Sequence, residues 1–406
     1  MIQTFANSSV HSLPLDYALR NLARTPLRTL LALLGSTLVL ILLLGTVGFV
    51  RGMSASLRGS GGDNIIFLGA GSEESIERSE IPSRAAGVVA ASLTGLREVL
   101  DQPAVSPEVH AALPIQPAEV EPSDDPPLAV VRGVTAMAFA VHPRVVLLEG
   151  RLAESGRDQV IAGRLAAELL GVERLEAGSR LRVGEREVTV TGIFDAPASV
   201  MAAEVWMPIA DLQVLAQRDS VSCVVAAMPP TAEENPQAAA RLLAAAEAFA
   251  ATRLDLELVA MPERDYYARL EAFFAPIRAM VAAGAVLVGL GGLLGGLSIL
   301  HAAFSSRIRE FATLQVLGFP RRAIVMSMLE ESLILHAGSL LAAAAIALVL
   351  LDGLSIRFSM GLFGIQIDEI ALGAAIAAAL LLSMIGIALP AWRCLRAPLP
   401  EALREG

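Results

Sequence analysis

Four long apolar runs decide what this chain can fold into. They cover residues 27–50, 277–304, 323–351 and 370–392. A helix that crosses about 30 Å of hydrocarbon needs roughly 20 mostly apolar residues. Each run is long enough, so the sequence predicts four transmembrane helices. The mean hydropathy of +0.60 agrees. A fifth stretch, 85–100, is short and holds Ser92, Thr94 and Arg97, so a helix of a water-exposed domain is expected there. The first run exceeds the roughly 7–15 apolar residues of a cleaved signal core and is expected to be a retained anchor.

Arginines orient the spans. Arg20, Arg24 and Arg28 precede the first; Arg307, Arg309, Arg321 and Arg322 separate the second from the third; Arg393, Arg396 and Arg404 follow the fourth. The positive-inside rule places all three sites in the cytoplasm. The expected order is a cytoplasmic amphipathic N-terminal helix (1–26), span one, an extracytoplasmic domain (51–275) and span two. A cytoplasmic loop (305–322), span three, a short outer loop (352–369), span four and a cytoplasmic tail (393–406) follow. The expected fold class is therefore an α-helical membrane protein with an α/β (mixed α+β) outer domain between helices 1 and 2. That domain carries 32 acids against 19 arginines, while the whole chain has net charge −10. Such a balance argues against nucleic acid as a partner.

All 31 basic residues are arginine, and lysine is absent. No Schiff-base lysine and no phosphate loop of the GxxxxGK[ST] type can exist, so ATP, if used, is bound by another chain. Cys223 and Cys394 are placed on opposite sides of the membrane and read as small packing residues. The five histidines, His11, His110, His142, His301 and His336, show no metal-ligand spacing, and GxSxG and HExxH are missing. The acid pairs Asp124–Asp125 and Glu233–Glu234 read as solvated. GSGGDN (59–64) reads as a flexible exit from span one. An enzyme is disfavoured. Span midplanes lack ionisable groups, which counts against a channel or secondary transporter; His301, Glu330, Glu331 and His336 sit nearer the cytoplasmic ends.

Within 51–275, strands are expected at 128–135, 144–150, 204–208, 221–228 and 254–260. RLRVGEREVTVTGIF (180–194) reads as a hairpin about Gly184, and 234–253 as a helix. The first part reads as poor in periodicity, and PIQPAEVEPSDDPP (114–127) as a surface loop. From Glu263 the pattern turns helical and runs toward span two as a rod, bent at Pro276. Span two carries Gly291, Gly292, Gly295 and Gly296 at GxxxG spacing. Glycines so placed allow close helix approach, either within one chain or between subunits.

RIREFATLQVLGFPRR (307–322) interrupts the apolar sequence. Ile308, Phe311, Ala312 and Gln315 share one helical face, with Arg309, Glu310 and Thr313 opposite. Gly318 and then Pro320 mark a helix stop and a restart. The loop is a short helix held by tight turns, either plain or functional.

SRIREFATLQVLGFPRRAI resembles the signature of FtsX/MacB-type ABC transporter permeases, with Arg307, Glu310, Leu314, Gly318, Arg321 and Ile324 at its positions. ALRNLARTPLRTLLALLG (18–35), VLLEGRLAESGRDQVIAGRLAAELLG (146–171), VTVTGIFDAP (188–197) and APLPEALREG (397–406) are similar to other parts of the family. The resemblance implies a MacB-like core domain outside and an FtsX-like permease domain within the inner membrane, with both termini cytoplasmic. It implies that 307–322 is a coupling helix docking on a separate ABC ATPase. Leu314, Leu317 and Phe319 would be apolar anchors there, and Arg309 and Glu310 polar contacts, with Arg307, Phe311 and Gly318 in the same element. No cofactor is expected in this chain, and ATP–Mg sits on the partner. Two ATPase copies, a second identical or homologous permease chain, the lipid bilayer and a periplasmic adaptor are the partners implied. Export, efflux, lipoprotein extraction and regulation of cell-wall enzymes stay open, as does an ATP-independent sensor or scaffold with a ligand-binding outer domain.

Overall fold

The computed structural model describes residues 15–121, 126–229, 235–358 and 361–396. The expectations for 1–14, for Asp124–Asp125 and Glu233–Glu234, and for the tail 397–406 lie outside those residues. The chain begins with α1 (Leu15–Arg24) and α2 (Pro26–Ser60). An α/β segment follows: β1 (Asn64–Gly69), β2 (Ile81–Pro82), α3 (Ala85–Ser92), β3 (Glu98–Val99), β4 (Gln102–Pro103), β5 (Val105–Pro117), β6 (Leu128–Val134) and α4 (Ala138–Val141). It continues with β7 (Val146–Gly150), β8 (Gln159–Gly163), α5 (Ala166–Leu170), β9 (Arg180–Val183), β10 (Arg186–Asp195), β11 (Val205–Pro208) and α6 (Ile209–Leu215). It ends with β12 (Ser220–Val221), β13 (Cys223–Ala227), α7 (Pro236–Thr252), β14 (Leu258–Pro262) and α8 (Glu263–Phe273). The remainder is α9 (Ala275–Ser305), α10 (Ile308–Val316), α11 (Arg321–Ile346), the hairpin β15 (Ser355–Phe358) and β16 (Gly361–Gly364), and α12 (Glu369–Arg396). Two compact units result. One comprises Gly52–Pro276 with Ser355–Gly364, and the other the rest of the chain.

In the helical unit, four helices among the described residues are long and apolar enough to cross a membrane: α2, α9, α11 and α12. Hydroxyls link them where hydrocarbon offers no other partner. Ser339 Oγ donates to the Leu33 carbonyl at 3.2 Å and Ser332 Oγ to the Ser383 carbonyl at 3.3 Å, tying α11 to α2 and α12. Arg51 Nε donates to Asp368 Oδ2 at 2.7 Å, while Asp368 Oδ1 caps the first turn of α12 at the Ala371 N–H.

In the α/β unit a mixed sheet runs β14-β1-β13-β5-β6-β11-β8-β10-β7, and β9 bridges β10 and β5. Successive pairs β5–β6, β6–β11, β11–β8, β8–β10, β10–β9 and β9–β5 therefore close a ring. The 13-residue β5 makes closure possible, pairing in turn with β13, β6 and β9. Strand alternation sorts side chains onto two faces. Val109, Val131, Val160, Ala162, Val205 and Met207 join the main core. Their neighbours Ile161 and Trp206 join Phe194 and Ala138 in a second cluster on the other face.

Several expectations need correction. β1 and β5 occupy the part read as poor in periodicity, and β5 takes the first four residues of 114–127. β1 is buried on both faces, so it offers no alternation to read. The GSGGDN stretch is no flexible exit: α2 runs to Ser60, and the Gly62 N–H donates to Glu263 Oε2 at 2.9 Å. The rod breaks at Phe274, between α8 and α9, rather than bending at Pro276. Pro276 instead lies in the first turn of α9, where its missing N–H has no partner to lose. The strand expected at 254–260 begins at Leu258. The segment 352–369, expected as a short outer loop, contains the antiparallel pair β15–β16. Leu362 enters the main core, the Phe363 and Phe274 rings meet at 6.2 Å, and Arg357 Nη2 donates to the Glu168 carbonyl at 3.2 Å.

Candidate functional site

α10 is a nine-residue helix held between α9 and α11 by two tight turns. Its end is a Schellman motif: the Phe319 N–H donates to the Leu314 carbonyl and the Gly318 N–H to the Gln315 carbonyl, both at 3.0 Å. Gly318 has φ +95°, a left-handed conformation that a side chain would strain. Pro320 then caps α11 with extended backbone.

The inner face of α10 is buried. Phe311 packs with Phe304 of α9, Ile324 and Met328 of α11, and Ile387 and Ala391 of α12, with Ile308 and Leu314 at the margin. Beside this apolar seat lies a charged one. Arg307, immediately before α10, donates from Nε to Glu310 Oε2 at 2.8 Å and from Nη1 to Glu331 Oε2 of α11 at 2.9 Å. Its Nη2 donates to the Tyr17 hydroxyl of α1 at 3.1 Å, and that hydroxyl donates to Glu310 Oε1 at 2.7 Å. Arg24 approaches the same Glu310 oxygen at 3.5 Å. The Arg307 guanidinium also lies over the Phe311 ring, 5.0 Å from its centroid. Partial burial would raise the Glu310 pKa, but the hydrogen bonds from Arg307 and Tyr17 outweigh it and hold the carboxyl below its usual range. Burial acts against the Arg307 charge, and Glu310 more than offsets it, so its pKa is raised.

The residues singled out in 307–319 therefore divide. Arg307, Glu310 and Phe311 turn inward and seat the helix. Leu314 and Phe319 are half-buried, and Gly318 lies exposed in its turn. Arg309 is exposed, and Leu317 is 70% exposed beside Val316 at 65%. The span-two glycines divide as well. A Cβ at Gly292 would overlap Val39 of α2, which makes that glycine a packing contact within the chain. Gly291, Gly295 and Gly296 face open space.

The histidines read as scattered do not all stay apart. In the α/β unit, His110 and His142 converge on the fully buried Glu108. His142 Nε2 lies 3.0 Å from Glu108 Oε1, and His110 Nε2 3.5 Å from Glu108 Oε2. Arg132 donates from Nη1 to Glu108 Oε2 at 2.8 Å, and from Nε and Nη2 to the two oxygens of Glu204 at 2.7 Å each. The Trp206 indole N–H donates to Glu204 Oε2 at 2.7 Å. Asn64 Nδ2 donates to Glu263 Oε2 at 2.7 Å, on the side of His142 away from Glu108, where His142 Nδ1 stands 3.9 Å from Glu263. Burial penalises the Glu108 charge, yet His142 and Arg132 outweigh it and hold the carboxyl well below its usual range. Burial pushes the Cys223 thiol well up. The available sequence signal was polar residues inside apolar strands: Glu108 and His110 two apart in β5, and Arg132 in β6.

The sequence matches the MacB-like periplasmic core domain over residues 29–245 and the FtsX-like permease C-terminal domain over 282–399. No curated protein matches it. Among solved structures, the periplasmic region of MacB from Actinobacillus actinomycetemcomitans aligns with a TM-score of 0.39 and 12% identity, over 53% of this chain and 95% of that one. The extracellular domain of the noncanonic ABC-type transporter YknZ from Gram-positive bacteria aligns with a TM-score of 0.34 and 16% identity, over 49% of this chain and 98% of that one.

Proposed function

The chain belongs to the MacB- and FtsX-type permeases of ABC transporters, and from that premise we propose that it carries ATP-driven motion from a separate ATPase subunit to its outer domain. Permeases of this family work with ABC ATPase partners, and this chain is such a membrane subunit. The observation that supports the mechanical reading is the two-sidedness of α10. Its inner face is seated on α9, α11 and α12 through Phe311, and on α1 and α11 through Arg307. Its outer face leaves Arg309, Val316 and Leu317 uncovered. In this proposal α10 faces the cytoplasm, with both termini, and is the coupling helix. An ATPase pressing on its outer face moves a rigidly seated element, so the spans move with it.

The outer domain receives that motion through the chain connections at α2 and α8. There Arg58 at the end of α2 forms a two-pronged pair with Glu271 of α8, at 3.1 and 3.2 Å. Hydrolysis of ATP–Mg belongs to the partner, in two copies, beside a second permease chain. The cycle performs export, efflux or extraction of lipoprotein or another substrate on the outer side.

The test is affinity purification of the chain from native membranes with Leu317→Glu and Arg309→Glu together. Both side chains are exposed, so the protein should fold normally while the co-eluting ATPase is lost. Undiminished ATPase recovery would remove this face as the docking surface, and absence of any ATPase from the wild-type sample would favour an ATP-independent sensor.

A further inference from the structure

We infer that the buried face of β5 and β13 is a metal site, with Glu108, His110 and Cys223 as ligands for a divalent cation of the zinc class. Glu108 and His110 stand two apart on β5 and so share a face. Cys223 is directly opposite Glu108 in the antiparallel register. All three side chains are buried, and a carboxylate oxygen, an imidazole nitrogen and the sulfur lie within 4.8 Å of one another. Glu108 Oε2 is 3.5 Å from His110 Nε2, which is 4.0 Å from Cys223 Sγ. In a tetrahedral zinc site, bonds of about 2.0–2.3 Å put ligand atoms about 3.4–3.6 Å apart. The Glu108–His110 edge already has that length, and the other two edges, to Cys223, are at most 4.8 Å and close with small side-chain shifts.

Ligand chemistry selects the ion. A sulfur, an imidazole and one carboxylate suit zinc, whereas calcium and magnesium take sets of oxygens. The electrostatics of the pocket point the same way. Glu108, Glu204 and Glu263 are buried beside a single guanidinium, that of Arg132. His142 also faces Glu108 and Glu263, and a divalent cation adds positive charge beside the three carboxylates. On binding, the Cys223 thiol releases its proton to solvent, and His110 coordinates as the neutral imidazole.

The surroundings have the form that holds metal ligands in place. Arg132 and His142 each fix one oxygen of Glu108, and the Ser222 hydroxyl accepts the His110 backbone N–H at 2.9 Å. A cavity of about 270 Å³, lined by Asn64, His142 and Ser199 among others, lies against His142 and offers a way in for the ion. The metal would bind β5 to β13, where the ring of strands meets the rest of the sheet.

The full chain, purified in detergent and stripped with EDTA, should take up one zinc ion after dialysis, measured by elemental analysis. Cobalt in its place should give a sulfur-to-cobalt charge-transfer band in the near ultraviolet. Cys223→Ala and His110→Gln should each lose the equivalent and the band, while Cys394→Ser keeps both. His142→Gln should retain binding with affinity weakened roughly ten- to a hundredfold. Cys223→Ser, a one-atom change, carries the test if His110→Gln does not fold. The inference is overturned if the folded wild type binds no stoichiometric zinc. It is equally overturned if Cys223→Ala and Cys223→Ser keep the ion.

Discussion

Replacing Arg132 by methionine tests whether the buried charges of the α/β unit hold it together. Arg132 is 2% exposed and Glu204 5%. Their contact is two-pronged, with both bonds at 2.7 Å. When the guanidinium goes, Glu108 keeps His142, but the buried Glu204 is left with only the neutral Trp206 indole. Removing one partner of a buried pair costs about 3–5 kcal/mol, because the other charge is stranded. A unit of this size loses roughly 2–4 °C of melting temperature per kcal/mol, so the drop should be roughly 6–20 °C. Trp206 is the reporter. It is fully buried, touches Glu204 and lies under the Arg132 guanidinium, 5.4 Å from the ring centroid. The chain has two tryptophans, so Trp392→Phe leaves a single emitter. Thermal unfolding of the full chain in detergent would be followed by its emission. The decisive comparison repeats Arg132→Met in a Glu204→Gln background. There no charge is stranded, and the cost should shrink by about 2–3 kcal/mol, near the upper end for contacting pairs. Equal costs in both backgrounds would refute the reasoning and leave Arg132 as mere filling.

Three further outcomes are expected. Arg307→Gln should cost about 2–3 kcal/mol, between exposed and buried pairs, since its side chain is 18% exposed; trypsin should then cut within 307–322 faster, and unchanged cleavage would contradict the seating of α10. Glu310 has a folded pKa below the usual 4.5, so its contribution is complete above that value and lost as pH falls through the lowered one. Arg307, Tyr17 and Arg24 face it, and melting curves taken from about pH 6 down to about pH 3 should show the wild-type advantage over Glu310→Gln disappearing on the acid side. Gly292→Leu should cost about 1–3 kcal/mol by overpacking against Val39, while Gly295→Leu, which meets open space, should change little; the reverse order in denaturant titrations would overturn the α2–α9 packing.

Local chemistry was legible where it acts through neighbours in the chain. The Gly318 turn and the restart at Pro320 follow from backbone conformations that few residues accept. The hairpin at 180–194 shows in alternation around a turn, and Val183 pairs with Arg186 as that pattern requires. β1 was hidden because both of its faces are covered. The division of residues 307–319 into seated and exposed was also hidden. Arg307 and Glu310 look like surface charges in the sequence, and only Tyr17, some 290 positions away, and Glu331 turn them into internal contacts.

Taken alone, the chain of residues determined four apolar helices, since bilayer thickness and hydrophobicity act on contiguous stretches. It also determined a short capped helix between two of them, since caps are local. What only the tertiary structure decided is which charges meet. Glu108, Arg132, His142 and Glu204 are far apart along the chain, and strand register together with the closing of the ring brings them face to face. The physical reason is range: helix length and caps are set within a few turns of backbone, whereas a buried ion pair exists only after distant strands have taken one alignment out of many.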